Sequence, residues 1–159
     1  MKLERRLILL RHAHALPAGP VQADRDRPLS GTGEAEADAA AAFLATHAPF
    51  ARVLCSPALR ARQTAERVMA QIGYADTRHD PRIYEASAGE LIEILDEHDA
   101  APVLLVGHNP GLEQLVALLC TGRSGEYRGM PPAGIAVLDL PAEAALEPGT
   151  ARLDAFWSP

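Results

Sequence analysis

The sequence has few cysteines, no excess of basic residues and no apolar run of membrane-spanning length. Cys55 and Cys120 are the only cysteines in 159 residues, and they form neither a CxxC pair nor part of a larger cysteine framework. A disulfide scaffold and a cysteine-rich zinc site are therefore not predicted. We expect reduced thiols, as in a cytoplasmic protein.

The charge balance argues against two classes of partner. Fifteen Lys and Arg residues face 21 Asp and Glu residues, which gives a formal net charge of −6. An extended surface for nucleic acid or for an anionic membrane would need a basic face. We expect neither partner, so any anion chemistry must be confined to a local site.

The first apolar run is short. It covers residues 7–10 and ends at Arg11, which is too few residues for a signal peptide or a spanning helix. With 48% hydrophobic residues, a chain of this length can bury one core but not two of typical size. The sequence thus predicts one soluble, cytoplasmic domain over residues 1–159.

Segments of strand length alternate with helical segments along the chain. The predicted strands are 6–11, 52–55, 77–79, 102–107, 135–140 and 152–157, and the predicted helices are 30–47, 57–72, 87–98 and 109–120. This order predicts an α/β fold with a mostly parallel sheet and helices on both faces. The last two strands alternate in a way that fits antiparallel or edge positions.

Each predicted helix has a recognisable start. The expected starts are Ser30 or Thr32 as N-cap, Ser56 as N-cap before Pro57, a capping box of Ser87 and Glu90, and Asn109 as N-cap before Pro110. The second and fourth helices directly follow buried strands, so their N-termini lie at the carboxyl edge of the sheet. Such an edge favours anions.

Cationic and imidazole side chains come to the same edge. Arg11 and His12 end the first strand, Arg60 lies one turn into the second helix, and His108 ends the 102–107 strand. Two arginine forks could clamp one phosphoryl group, with a histidine as the nucleophile. Separately, each residue could instead be a solvated or core side chain.

Three motifs occur in order. They are Leu-Arg-His-Ala at residues 10–13, Ser-Pro-x-x-Arg-Ala-x-Gln-Thr at 56–64 and Val-Gly-His-Asn-Pro at 106–110. Together they resemble the histidine phosphatase superfamily, and the short length and the Arg-Pro-Leu-Ser element at 27–30 resemble its small SixA-type branch of phosphohistidine phosphatases. The resemblance runs from about residue 7 to about residue 119 and implies a phosphoglycerate mutase-like fold.

The resemblance also implies roles for individual residues. His12 would be the nucleophile that takes the phosphoryl group, and Arg11, Arg60 and His108 would bind its oxygens and neutralise their charge. Arg27 matches a phosphate-pocket arginine of the small branch. No metal or other cofactor is expected, because these cations would stabilise the charge that magnesium stabilises elsewhere.

The sequence departs from the family pattern in two places. Many members have glycine where this chain has Ala13. Larger members use a carboxylate after the third strand as general acid, and the nearest match is Glu85, which could equally be a solvated residue before a helix. A phosphoramidate leaving group would depend on such an acid less than an alkoxide would.

Two other interpretations involve neighbours of these residues. His14 forms a His-x-His pattern with His12, which would suit a metal, although spacing fixes no third ligand. Arg25 and Arg62 could add to the positive field, but Arg62 lies two residues along the helix from Arg60 and should face away.

The sequence therefore predicts a metal-independent phosphatase that acts through a phosphohistidine intermediate, with a phosphorylated protein as its partner and substrate. The alternatives within the superfamily are a small-molecule phosphomonoesterase and a phosphoglycerate mutase-like transferase. Alternatives of other classes are a phosphohistidine-binding module without turnover and a metal-dependent hydrolase.

Overall fold

The computed structural model describes residues 4–125, 128–142 and 145–159. Its six strands are β1 (Glu4–Arg11), β2 (Arg52–Cys55), β3 (Thr77–His79), β4 (Val103–Gly107), β5 (Ile135–Pro141) and β6 (Arg152–Trp157). Its four α-helices are α1 (Gly31–Leu44), α2 (Leu59–Ile72), α3 (Ala88–Asp96) and α4 (Gly111–Thr121). Two short 3₁₀ turns lie at Asp24–Asp26 and Pro81–Ile83.

The strands form one mixed sheet in the order β3-β2-β4-β1-β5-β6. The first four strands in this order pair in parallel, whereas β5 is antiparallel to β1 and β6 is antiparallel to β5. The predicted α/β fold with a mostly parallel sheet is confirmed. The antiparallel placement of the last two strands is confirmed as well.

Alternation along the central strands builds a core on each face of the sheet. On β1, Ile8 and Leu10 pack with α1 and α2, while Leu7 and Leu9 pack with α3 and α4. Strand β4 is buried along its whole length, as expected of a central parallel strand covered on both sides. Helices therefore lie on both faces, as predicted.

The strand register brings three strand ends together. Arg11 pairs with Gly107, and Cys55 pairs with Val106, so β1, β2 and β4 end at one level. Residues 12, 56 and 108 follow those ends directly. The carboxyl edge of a parallel sheet is the usual place for a ligand site in α/β folds.

Two helix starts were predicted correctly. The Ser30 hydroxyl accepts from the Gly33 N–H at 2.9 Å, which settles the choice between Ser30 and Thr32. Ser87 and Glu90 form the complete capping box at the start of α3.

The predicted start of α2 was wrong by two residues, and that of α4 was wrong by one. Helix α2 begins at Leu59 rather than after Ser56, whose backbone N–H is held by the Val106 carbonyl at the sheet edge. Helix α4 begins at Gly111, after Asn109 has turned its amide nitrogen to the Met130 carbonyl. Ser56 is therefore part of the sheet edge instead, whereas the Asn109 side-chain oxygen still accepts from the Glu113 N–H in the first turn of α4 at 3.3 Å.

The helices of the described ranges include none that combines the length and the apolar character needed to cross a membrane.

Candidate active site

The four side chains predicted to form a phosphate site lie together at the carboxyl edge of the sheet. The rings of His12 and His108 are 5.1 Å apart between centroids. Arg11 and Arg60 are close enough to both rings to act on their protonation. The structure thus brings together residues that are up to 97 positions apart in the sequence.

Backbone hydrogen bonds fix the position of His12. Its N–H donates to the Gly107 carbonyl at 3.0 Å, and its own carbonyl accepts from the Ala133 N–H at 3.1 Å. The ring nitrogen Nδ1 lies 2.8 Å from the Ala13 carbonyl oxygen, which can only accept, so Nδ1 carries a proton. In the neutral ring the lone pair is therefore on Nε2, where a nucleophile needs it.

Both histidines are kept neutral at physiological pH. Burial lowers the pKa of His12 to about 3; the hydrogen bond to Ala13 opposes this shift, and the nearby His108, Arg60 and Arg11 add to it. Burial and the same two arginines also lower the pKa of His108 to about 4. A neutral imidazole is the form that can attack phosphorus.

Each arginine of the pair is anchored through its terminal nitrogens. Arg11 donates from Nη1 to the Met130 carbonyl at 2.8 Å. Arg60 is only 6% exposed and donates from Nη1 to the Asp24 carbonyl and from Nη2 to the Asp24 carboxylate, at 2.9 and 3.1 Å. A chain with an overall negative charge therefore holds two guanidinium groups in one small, partly desolvated region.

Three buried nitrogen atoms of this cluster have no hydrogen-bond partner among the described residues. They are Nε of Arg11, Nε of Arg60 and Nδ1 of His108. Buried donors without a partner are costly, and native structures leave few of them. Oxygens of a bound phosphoryl group could satisfy all three, and two of the three carry the positive charge that such a group prefers.

Three polar residues of the site were not predicted. Asp24 bonds to Arg60, to Arg27 and to the Tyr84 hydroxyl. These hydrogen bonds, of which that from Tyr84 is the strongest influence, hold the pKa of the Asp24 carboxyl well below its usual range. Ser56 bonds to His108 through its hydroxyl, and the Tyr84 ring meets the His108 ring edge to face at 5.5 Å.

A sequence signal existed for Ser56, which stands inside the second motif but was interpreted as a helix cap. Asp24 lies in a loop rich in charged residues, where one carboxylate does not stand out from the next. Its position depends on how the loop folds over the sheet edge, and local sequence does not determine that.

The loop of residues 16–28 borders the site and is called the rim loop below. The side chain of Arg27 is directed to this loop. It donates from Nε to the Leu16 carbonyl and from Nη1 to Asp24, both within 2.9 Å. Arg27 is thus linked to Arg60 through a shared carboxylate. Arg25 lies over the face of the Tyr84 ring, 5.2 Å from its centroid, and adds positive charge to the same rim.

Glu85 is exposed and lies between the Pro81–Ile83 turn and α3. Gly111 allows this segment to approach the start of α4, since a Cβ there would stand 2.3 Å from the Ala86 carbonyl oxygen. The segment also carries Tyr84, which contacts His108. Glu85 is therefore next to a residue of the site, at its solvent side.

Other residues considered in the sequence lie outside the cluster. The His14 ring turns away to the Ser30 hydroxyl at 2.7 Å, and no group of three or more metal-ligating side chains occurs within the described ranges. Arg62 donates to the Pro57 carbonyl, two residues from Arg60 on the same helix. Burial raises the pKa of the Cys55 thiol to about 12, so this thiol is a poor nucleophile at neutral pH.

The low pKa values predict a specific titration behaviour. Because His12 and His108 bind a proton only near pH 3 and pH 4, both rings should stay neutral from about pH 5 to pH 8, where an ordinary histidine titrates near 6.5. Nitrogen NMR shifts of the two labelled rings across that interval would measure this. A midpoint near 6.5 for His12 would contradict it.

Comparison with known proteins places this geometry in a family. A sequence model of the histidine phosphatase superfamily (branch 1) matches residues 7–101. An uncharacterized protein of Mycobacterium tuberculosis is 37% identical over 164 residues, which cover 94% of this chain and 99% of that protein.

Solved structures give the same result. A protein of Agrobacterium tumefaciens assigned as the phosphohistidine phosphatase SixA matches with a TM-score of 0.83 at 31% identity, over 98% of each chain. The protein histidine phosphatase SixA in complex with tungstate matches with a TM-score of 0.78 at 28% identity, over 96% of each chain. A mycobacterial glucosyl-3-phosphoglycerate phosphatase, at 21% identity and a TM-score of 0.74 over 98% of this chain and 99% of its own, shares the fold.

The family match covers more than half of the chain, and the SixA matches extend over nearly all of it. The predicted phosphoglycerate mutase-like fold is confirmed by the same structures. The chain belongs to the histidine phosphatase superfamily, in its SixA-type branch.

Proposed function

We propose that this protein is a metal-independent phosphatase that acts on phosphohistidine in proteins and forms a phosphohistidine on its own His12. The observation that carries the proposal is a set of three buried nitrogens without a partner among the described residues, on Arg11, Arg60 and His108, in the cluster that contains His12. The tungstate complex of a SixA phosphatase supports it, because tungstate is a tetrahedral oxyanion like phosphate.

In the first step the lone pair of His12 Nε2 forms a bond to phosphorus. The bond from phosphorus to the leaving atom breaks, and that atom takes the bonding electron pair and a proton. Arg11, Arg60 and His108 stabilise the charge on the three phosphoryl oxygens during this transfer. The Nδ1–H bond to Ala13 keeps the His12 ring oriented throughout.

In the second step a water oxygen forms a bond to phosphorus. The bond between phosphorus and Nε2 breaks, and its electron pair returns to the His12 ring. In this proposal Glu85 can give the leaving atom its proton in the first step, although an imidazole can also take that proton from solvent, and in the second step the attacking water gives up a proton to the carboxylate or to solvent. Free phosphate and the original enzyme result.

Glu85 is exposed to solvent and is therefore not held in one place as an acid. This supports phosphohistidine in a protein as the substrate, for the following reason. An imidazole leaving group accepts a proton easily, so it needs a fixed acid less than an alkoxide does. The rim loop, including Arg25, Leu16 and Val21, is exposed and can contact a folded partner. Arg27, at the base of this loop, is proposed as a further ligand of the phosphoryl group once Asp24 releases it.

The proposal extends to the whole chain and its setting. We take residues 1–159 as one histidine phosphatase-like domain. Both cysteines are free thiols, which fits a cytoplasmic location. A phosphorylated protein is the proposed partner, and neither nucleic acid nor a membrane is.

A panel of substrates tests the proposal. We expect a higher kcat/KM for a phosphohistidine-bearing protein than for sugar phosphates or phosphoglycerates, with an unchanged rate in excess EDTA. Glu85→Gln should have only a modest effect on the phosphohistidine reaction, and Glu93→Gln, an exposed carboxylate on α3, is the matched control.

The outcomes separate the alternatives. Much faster hydrolysis of a small phosphomonoester, abolished by Glu85→Gln, would replace the proposal with a small-molecule phosphatase. Transfer of the phosphoryl group to a second hydroxyl rather than to water would indicate a mutase. Tight binding of phosphohistidine protein without turnover would indicate a binding module, and loss of activity in EDTA would indicate a metal-dependent hydrolase.

A further inference from the structure

Ser56 places its hydroxyl in the fully buried region beneath the site. It follows the last residue of β2, has no exposed surface, and is held to β4 by a bond from its N–H to the Val106 carbonyl at 3.1 Å. Its Oγ lies 2.7 Å from Nε2 of His108. The same strand, β4, delivers both the residue that holds Ser56 and the histidine that Ser56 contacts.

The protons around Ser56 Oγ can be assigned from its neighbours. The oxygen accepts from the Ala58 N–H at 3.2 Å, and it has one proton of its own to donate. Within the described part of the chain, Nε2 of His108 is the acceptor that lies within hydrogen-bond distance of that proton. A buried hydroxyl that did not donate there would leave its proton unpaired, which is costly.

The assignment fixes the tautomer of His108. If Nε2 accepts the Ser56 proton, the neutral ring must carry its own proton on Nδ1. Nδ1 is the buried ring nitrogen that has no partner in the described residues. It then offers an N–H to an anion, whereas the other tautomer would present a lone pair that repels phosphoryl oxygens.

A fixed tautomer matters because the neutral His108 ring has only one N–H to donate. Burial and the two arginines keep its pKa at about 4, so at neutral pH the ring carries one proton only. That single proton can be donated to the phosphoryl group or to Ser56, but not to both. The Ser56 hydroxyl determines which ring nitrogen of His108 carries it.

We propose that Ser56 is a positioning residue that holds neutral His108 in its Nδ1–H form and directs this N–H to the transferring phosphoryl group. The tautomer itself is a property of the free protein. Its use on a phosphoryl group rests on the proposed function.

The first experiment measures the tautomer by nitrogen NMR of labelled His108 near pH 7. We expect a protonated Nδ1 and an unprotonated, hydrogen-bonded Nε2 in the wild-type protein, and a mixture of tautomers or the Nε2–H form in Ser56→Ala. A protonated Nε2 in the wild type overturns the inference, whether or not the protein has phosphatase activity.

The second experiment measures turnover of a phosphohistidine-bearing protein. Ser56→Ala should lower kcat/KM by about 10- to 100-fold, the range expected when the group that orients a histidine is lost. Ser56→Thr, which keeps the hydroxyl, should recover most of the activity and the Nδ1–H signal. If Ser56→Ala does not fold, the wild-type spectrum and Ser56→Cys, whose thiol is a weak donor, still decide the matter.

Ser30→Ala is the matched control. Ser30 is likewise a buried serine that bonds to a histidine, since its hydroxyl lies 2.7 Å from the His14 ring outside the cluster. We expect Ser30→Ala to leave kcat/KM within about twofold. Equal losses in Ser30→Ala and Ser56→Ala would show a general effect on the fold and overturn the positioning role. A correct tautomer without turnover in the wild type would instead refute the proposed function alone.

Discussion

We expect His12→Ala to abolish turnover completely, because the described residues place no other nucleophile among the cations of the site. The His12 ring presents Nε2 as a neutral lone pair, whereas the neighbouring Cys55 thiol has a pKa of about 12 and His108 is bonded to Ser56. Steady-state assays on a phosphohistidine-bearing protein measure this, and His14→Ala, two residues away with its ring on Ser30, should remain active.

Trapping of the intermediate identifies the nucleophile directly. A phosphoenzyme on His12 is a phosphoramidate, so the label should be lost in acid and should map to the peptide that contains His12. Label that survives acid and maps to Ser56 would show that the nucleophile has been misassigned. Full activity in His12→Ala would have the same meaning.

The second large effect is expected at Arg60. Arg60→Ala removes a buried guanidinium from the site, and kcat/KM should fall roughly 10²-fold or more. Arg11→Ala should cause a loss of similar size. Arg60→Lys should recover only part of the rate, because a lysine cannot form the planar fork that binds two oxygens at once.

Arg62→Ala is the control for Arg60→Ala. It removes the same charge from the same helix, but its Nε is bonded to the Pro57 carbonyl. Its activity should stay within about twofold of the wild type. If the two substitutions cost the same, the effect is one of net charge, and the role assigned to Arg60 is wrong.

Much of this fold follows from the pattern of the sequence. The apolar runs from Leu7 to Leu10 and before Gly107 locate the two central strands, and the ends of these strands locate Arg11, His12 and His108. Parallel strands that end together bring their following residues together, so the cluster could be predicted without coordinates.

The contacts that complete the site could not be predicted in this way. Asp24 reaches Arg60 across 36 residues, and Tyr84 reaches Asp24 across 60. Such contacts depend on how loops cross the sheet edge, for which local sequence has no periodic signal. The displaced start of α2 has the same origin, because Ser56 bonds to another strand and another motif rather than to its own helix.

Asp24 gives the site an anion of its own, and this affects the end of the catalytic cycle. Its carboxylate and carbonyl already hold both terminal nitrogens of Arg60. A phosphate that engages those nitrogens must displace or share them, so its net affinity is the difference between two similar interactions rather than the full strength of one. When phosphate leaves, Asp24 can bond to Arg60 again, so the guanidinium keeps a hydrogen-bond partner throughout. We therefore expect the Asp24 contacts to ease the release of phosphate, with weak inhibition by free phosphate as the measurable sign.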